Sequence, residues 1–390
     1  MTTVYLHIGT AKTGTTSIQN FLAENRILLE KQDFSYPYMN LGLSHQVDKR
    51  NAHFLAYLSP EKDRAKEKEI RSKGYEFVSQ AAREHSKVIL SDELIWSRSA
   101  VMKNFWPQLA ANFKRLDCKV KVIVYLRRQD QLLQSLWNQY VKDFRIVSQT
   151  FLEYSRQNGL NRYPFDYFKH LNTIAKAVGK ENLIVRVYEK SQFKDNNLIS
   201  DFLQIVGVSH TDEFTSGSIH INHGLSGNFI EMKRIINKAR CYKDSDNFLQ
   251  YPMLFASVQQ QEISKSSKAS MFTYEETLEY LQQYEESNRK VAEVYLNRPE
   301  GELFRDKIED TPVWQLDRDT LHEDILLFTT EALFAQETKI RELQSQISDM
   351  RQNMTAMKQE IQVLRQKNTS MYNSLIFRIY RKLRRVLKHK

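Results

Sequence analysis

The stretch YLHIGTAKTGTTSIQNFL, Tyr5 to Leu22, decides how this chain reads. A short apolar β-type run, Val4 to Ile8, enters a turn carrying Gly9 and Gly14. A run with helical apolar spacing leaves it, with Ile18, Phe21, Leu22, Leu28 and Leu29 on one side. Glycine permits the tight backbone path by which successive N–H groups face one anion. The start of a helix adds unpaired N–H donors and the positive end of its dipole. Lys12 brings a mobile charge, Thr13 follows it, and Thr15, Thr16 and Ser17 bring hydroxyls. The set suits a phosphate-like group. It is not a Walker A loop, because Lys12 precedes Gly14 by two positions instead of following the last glycine, and it is not a GxGxxG dinucleotide fingerprint.

Three more β-type runs lie further along. Lys87–Leu90 (KVIL) ends in Ser91-Asp92-Glu93. Lys119–Leu126 (KVKVIVYL) ends in Arg127-Arg128 and leads into a helix through Lys142. Asn182–Tyr188 (NLIVRVY) follows a helix from about Asp166 to Val178 that stops at Gly179. Short strands alternating with helices predict an α/β fold, a P-loop-like parallel sheet flanked by helices. From Asn197 to about Asn297 the pattern is mostly helical, with an irregular stretch from Gln259 to Ser270.

Arg127 stands at a strand's C-terminal end, the side on which open α/β sheets bind ligands. Its planar fork suits a terminal phosphate. Ser135 follows eight positions later, two helical turns on and on roughly the same face. Arg128 is the alternative for the arginine's role; the eight-residue spacing favours Arg127.

The run KTGTTSIQNFL resembles the 5′-phosphosulfate loop of sulfotransferases that use 3′-phosphoadenosine 5′-phosphosulfate (PAPS), whose pattern is Lys-x-Gly-Thr-Thr. Arg127 and Ser135 match that family's 3′-phosphate element. HINHGLSGNFIEMKRIIN and MFTYEETLEYLQQYEESNRKVAEVYL look like later segments of sulfotransferases associated with microbial polysaccharide modification. The likeness spans about residues 3 to 305. It implies PAPS as sulfuryl donor, bound by Lys12, Thr13, Gly14, Thr15, Thr16, Ser17, Arg127 and Ser135, with Lys12 also catalytic, a carbohydrate hydroxyl as acceptor, and no required metal.

Sulfuryl transfer to a hydroxyl needs a base near the acceptor and positive charge near the leaving phosphate. Glu93, after the strand KVIL, and His53, in RNAHFLAYL at the start of an expected amphipathic helix, are the two candidate bases, alone or together; Asp92 and His45 are lesser ones. Their ordinary alternatives are a carboxylate at a helix start and a surface histidine. His220 and His223, in HINHG, lack a third ligand at usable spacing and read as acceptor-side or structural. A nucleotide kinase or NTPase is the competing enzyme class, opposed by the missing Gly-Lys-Ser/Thr and Walker B carboxylate. A non-catalytic coiled-coil scaffold is the competing non-enzyme class, opposed by intact Lys12, Arg127 and Ser135.

The chain has 390 residues, 41% hydrophobic and 11% aromatic, enough for a sizeable core. Its two cysteines, Cys118 and Cys241, cannot build a disulfide framework and point to a reducing compartment. Of 57 Lys and Arg, nine fall after Glu360, where no Asp or Glu occurs. The preceding residues hold 48 basic against 47 acidic, so nucleic acid is not an expected partner. No apolar run spans a bilayer and no signal peptide is recognisable, so a cytoplasmic location, peripheral on the membrane face, is expected.

Ile340, Leu343, Ile347, Met350, Met354, Met357, Ile361 and Leu364 alternate three- and four-residue steps without an intervening Gly or Pro, an a/d heptad seam. The expected organisation is a sulfotransferase-like domain over 1–310, a linker over 311–337, a coiled coil over 338–370 that makes a homo-oligomer, and a basic amphipathic tail over 371–390. That tail interleaves apolar with basic residues, the pattern of a helix lying on an anionic membrane surface.

Overall fold

The structure is a computed structural model, and it describes residues 1–42, 49–59, 61–142, 147–156, 163–215, 225, 227–238 and 269–388. It divides into two compact units, Met1–Asp319 and Thr320–Lys390.

The first unit is built on a five-stranded sheet. In chain order its strands are β1 (Thr2–His7), β2 (Phe34–Ser35), β3 (Lys87–Ser91), β4 (Cys118–Leu126) and β5 (Leu183–Val187). They lie in the order β2-β3-β1-β4-β5, and every pairing is parallel, as predicted for an α/β chain. Parallel strands buried on both faces need continuous apolar runs, which VYL, VIL and VIVYL supply. Side chains alternate faces along each strand. Tyr5, Ile89, Ile123 and Tyr125 share one face with Ile18, Phe21 and Leu22 of helix α1 (Thr15–Glu24) and with Phe202, Leu203 and Val206 further on.

Helices α2 (Arg26–Glu30), α3 (Arg64–Glu84), α4 (Leu94–Ser99), α5 (Phe105–Arg115), α6 (Gln129–Lys142), α7 (Phe151–Arg156), α8 (Tyr167–Val178), α9 (Leu198–Val206) and α10 (Gly227–Ile236) complete the layers, with α11 (Tyr274–Gln282) and α12 (Glu285–Tyr295) after them. Gly179, at φ +90°, ends α8 as expected.

Strand β2, only two residues long, was not expected, and two helices of the first unit differ from the sequence reading. The single helix expected over 17–29 is split at Asn25, whose side-chain amide donates to the Phe21 carbonyl at 2.8 Å and to the Thr215 carbonyl at 3.1 Å. A side chain that offers the backbone such alternatives breaks a helix. The amphipathic helix expected at His53 is one 3₁₀ turn, His53–Ala56, after which Tyr57 is extended. Pro60 follows closely and disfavours helix in the residue before it. His45, His220, His223 and most of the stretch 259–270 lie outside the described residues.

Helix α9 is fixed from beneath by Asp201, which is fully buried. Tyr125 of β4 donates to it at 2.8 Å, Arg186 of β5 pairs with it, and the Lys194 N–H donates to it at 3.0 Å.

The second unit contains α13 (Leu321–Asn373) and α14 (Leu375–Leu387). Helix begins at Leu321, inside the span read as linker, because nothing after Pro312 breaks it and Glu323 and Asp324 favour its first turn. The heptad seam from Ile340 to Leu364 is exposed along its length.

Candidate active site

Strand polarity brings the C-terminal ends of β1, β3, β4 and β5 to one edge of the sheet. Beyond that edge lie the 8–14 loop, Asp92-Glu93, Arg127 and Tyr188. β1 sits between β3 and β4, the position where strand order reverses, and open α/β sheets bind ligands outside the strand ends at such a position.

The loop is pinned from several sides. Thr10 donates through both its N–H (3.3 Å) and its hydroxyl (3.1 Å) to the Tyr125 carbonyl. Thr13 Oγ1 donates to the Thr10 carbonyl at 2.6 Å, and the Ala11 N–H donates to Tyr163 Oη at 3.0 Å. Lys12 is in the left-handed region at φ +65°, a strained state for a side-chain-bearing residue that costs roughly 1–2 kcal/mol. Gly14 is also left-handed, at φ +71°, and here glycine is required by space as well. A Cβ would stand 2.3 Å from Leu198 Cδ2 and 3.3 Å from Tyr188 Cε2. Gly14 is the residue before α1 and offers no side chain to cap it, so the first N–H groups of that helix face the loop. Thr16 and Ser17 are exposed on this first turn.

Arg127 closes the other side. Its Nη1 donates to the Lys12 carbonyl at 3.0 Å, its Nε reaches Gln131 Oε1 at 3.4 Å, and its guanidinium lies 5.9 Å from the Tyr188 ring centre. Burial pushes its pKa below the usual arginine value, which means the charge is held where it lacks full solvation. Arg128 is engaged elsewhere: it grips Asp130 at 2.8 and 3.1 Å and the Asp306 carbonyl at 3.1 Å. Ser135, half-buried, lies on α6, which starts directly after this arginine pair.

The two candidate bases meet across Asp92. His53 Nδ1 is 3.1 Å from Asp92 Oδ2, and Asp92 Oδ1 accepts from Arg50 Nη2 at 2.7 Å and from the Leu94 N–H at 2.7 Å. Arg50 Nε lies 3.6 Å from Glu93 Oε2, and Gln19 of α1 donates to the same oxygen at 3.2 Å. Asp92 is fully buried. Burial pushes its carboxyl up, but Arg50 and His53 outweigh that and hold it below the ordinary carboxylate value. Burial first, and the Asp92 charge second, push Glu93 up. One carboxylate is thus kept ionised and the other made more basic, the separation of roles that acid–base sites show.

Arg50 and Gln19 carried no signal in the sequence. Arg50 precedes His53 by three residues, but its partner carboxylates are some forty positions away, and only the strand order brings them together. Asp92, ranked low from sequence, is the hub.

An anion with a phosphate or phosphosulfate group fits the residues present. Thr15 Oγ1 is buried with no hydrogen-bond partner among the described residues, directly beneath the loop, 3.0 Å from where a Gly9 Cβ would stand. Among the described residues, no group of three or more His, Cys, Asp or Glu side chains stands together as a metal site.

No family model matches this chain. It is 31% identical over 185 residues to an uncharacterized protein of Archaeoglobus fulgidus, covering 47% of this chain and 48% of that one. The chain therefore spans about half the length of the curated relative it matches. Among solved structures, the crystal structure of a sulfotransferase from Alicyclobacillus acidocaldarius superposes with a TM-score of 0.36 and 18% identity, over 56% of this chain and 85% of that one. No helix among the described residues is long and apolar enough to cross a membrane.

Proposed function

We propose that this chain is a sulfotransferase that takes a sulfuryl group from PAPS and passes it to a hydroxyl of a carbohydrate. The observation that carries the reading is the contact between Arg127 and the Lys12 loop. It supports one continuous anion cradle made of two elements whose spacing resembles the two PAPS motifs. PAPS, when bound, supplies the sulfuryl group and a leaving phosphate.

The chain's own residues then divide the work. The 12–17 loop and the first turn of α1 bind the 5′ anion through N–H groups and hydroxyls, and the Lys12 ammonium offsets charge that grows on the leaving oxygen. Arg127 and Ser135 receive the 3′-phosphate. Glu93 accepts the acceptor's proton at a carboxylate oxygen, and its raised pKa makes it a stronger base than an ordinary glutamate. Asp92 lies 3.1 Å from His53 Nδ1 and orients that ring, whose other nitrogen, Nε2, is the second candidate proton acceptor. Arg50 keeps Asp92 ionised and both carboxylates in place.

Calorimetric titration with adenosine 3′,5′-bisphosphate and, separately, with ATP tests the donor half. Binding of the bisphosphate at least tenfold tighter than ATP is expected; the reverse preference would sink the reading in favour of a kinase or NTPase. Incubation with labelled PAPS and a panel of glycans, with the label recovered on sugar, tests the acceptor half.

A further inference from the structure

Helix α14 is separated from α13 by Ser374, which is extended at ψ 150°. At 100° per residue, Leu375, Val386, Ile379, Leu383, Ile376, Leu387 and Tyr380 fall in that order on one arc of about 140°. Arg384, Lys388, Arg381, Arg385, Arg378 and Lys382 occupy the remaining arc. Phe377 is the one apolar residue misplaced among them, and the structure accounts for it. Its ring stacks on Tyr372 of α13 at 5.5 Å and 23° and meets Tyr380 edge-on at 6.2 Å. Arg381 lies 4.1 Å from the centre of the Tyr372 ring and donates to the Tyr372 carbonyl at 3.0 Å. The aromatic group and Arg381 tie the start of α14 to the end of α13. Of the apolar arc only Tyr380, at its edge, touches that group; the rest stays open, with Ile376 79%, Leu387 75% and Leu375 73% exposed.

We propose that this open face docks on an anionic lipid surface, with the apolar arc in the headgroup–acyl boundary and the basic arc among lipid phosphates. Charge complementarity selects the occupant. A second copy meeting this face would set Lys382 and Arg384, at the two edges of the apolar arc, against their like, with no Asp or Glu after Glu360 to pair them, and would leave the other cations without a partner charge. An anionic bilayer takes up both arcs at once. Each Lys or Arg near such a surface strengthens binding about fivefold. The inference is independent of the proposed transfer reaction.

Flotation of the full chain with phosphatidylglycerol-containing vesicles and with pure phosphatidylcholine vesicles tests it. Two variants accompany it: Leu383→Glu with Val386→Glu on the apolar arc, and Arg384→Glu with Arg385→Glu on the basic arc. Both pairs are exposed, and circular dichroism checks that each variant is folded. The expected result is recovery of the wild type with the anionic vesicles only, reduced by salt, and a drop of well over tenfold in either variant. Wild type left unbound, or recovered equally on neutral vesicles, overturns the proposal. So does an apolar-arc variant that still floats but sediments as a smaller species, which would assign the face to a second copy.

Discussion

Arg127 Nη1 donates to the main-chain carbonyl of Lys12 at 3.0 Å, so the residue just past β4 and the turn just past β1 form one cradle. A charged donor committed to a neutral oxygen in a partly buried place gains by finding an anion. Arg127→Ala is expected to weaken bisphosphate binding by about 2–4 kcal/mol. Calorimetry reads this directly, and Arg128→Ala, whose guanidinium is held by Asp130, should instead lower unfolding stability.

Lys12→Ala is expected to leave the fold intact and slow transfer by about 10²–10³-fold, the usual effect of losing one transition-state charge contact. The measurement is single-turnover transfer beside a thermal melt. Near-normal turnover in a folded variant would remove Lys12 from the chemistry.

Glu93→Gln keeps the shape of the side chain and its bond from Gln19 but removes its basicity. Transfer should drop by about 10²–10⁴-fold and lose the acid limb of its pH–rate profile. His53→Gln should have a smaller effect on the rate at neutral pH. A normal acid limb in the Glu93 variant, missing instead in the His53 variant, would exchange the two roles.

Two buried histidines tie stability to pH. Burial lowers the pKa of His7 from the ordinary 6.5 to about 3 and that of His170 to about 4. As pH falls below about 6.5, the unfolded chain takes up these protons and the folded one does not. Stability is therefore full above that value and declines toward pH 4 and 3, by about 1.4 kcal/mol per pH unit for each histidine. Asp92, with its lowered pKa, adds loss in the same direction at the acid end. Urea unfolding at a series of pH values reads the slope, and His7→Gln should flatten it.

The seam from Ile340 to Leu364 is exposed within one chain, at about half of each side chain's surface. Its burial between copies is expected to make the protein a homo-oligomer. Ile347→Lys with Ile361→Lys should convert the light-scattering mass to that of a monomer. A wild-type monomer would leave the helix without a partner copy.

Much of the sheet was legible because buried parallel strands require apolar runs, and VYL, VIL and VIVYL carry few polar interruptions. Phe34–Ser35 was not legible: two residues at a sheet edge carry no period. The loop was legible because its parts are adjacent in sequence. The cluster of candidate bases was only half so. Glu93 and Asp92 advertise themselves by ending a strand, while Arg50 and Gln19 take their meaning from distances across the fold. Asn25 shows the limit for helices, since the apolar spacing runs straight through the residue whose side chain breaks the helix.

Leu198 at the start of α9 presses on Gly14, and Asp201, one helical turn later, fastens that helix to β4 and β5. The cradle's shape is therefore enforced from a part of the chain far downstream of the motif that names it. The letters Lys-x-Gly-Thr-Thr alone do not hold the loop in this shape. A homologue that kept the five letters and lost the leucine knob or its aspartate fastening would have a slack loop. A search pattern for loops held in this shape should therefore join the motif to that distant pair.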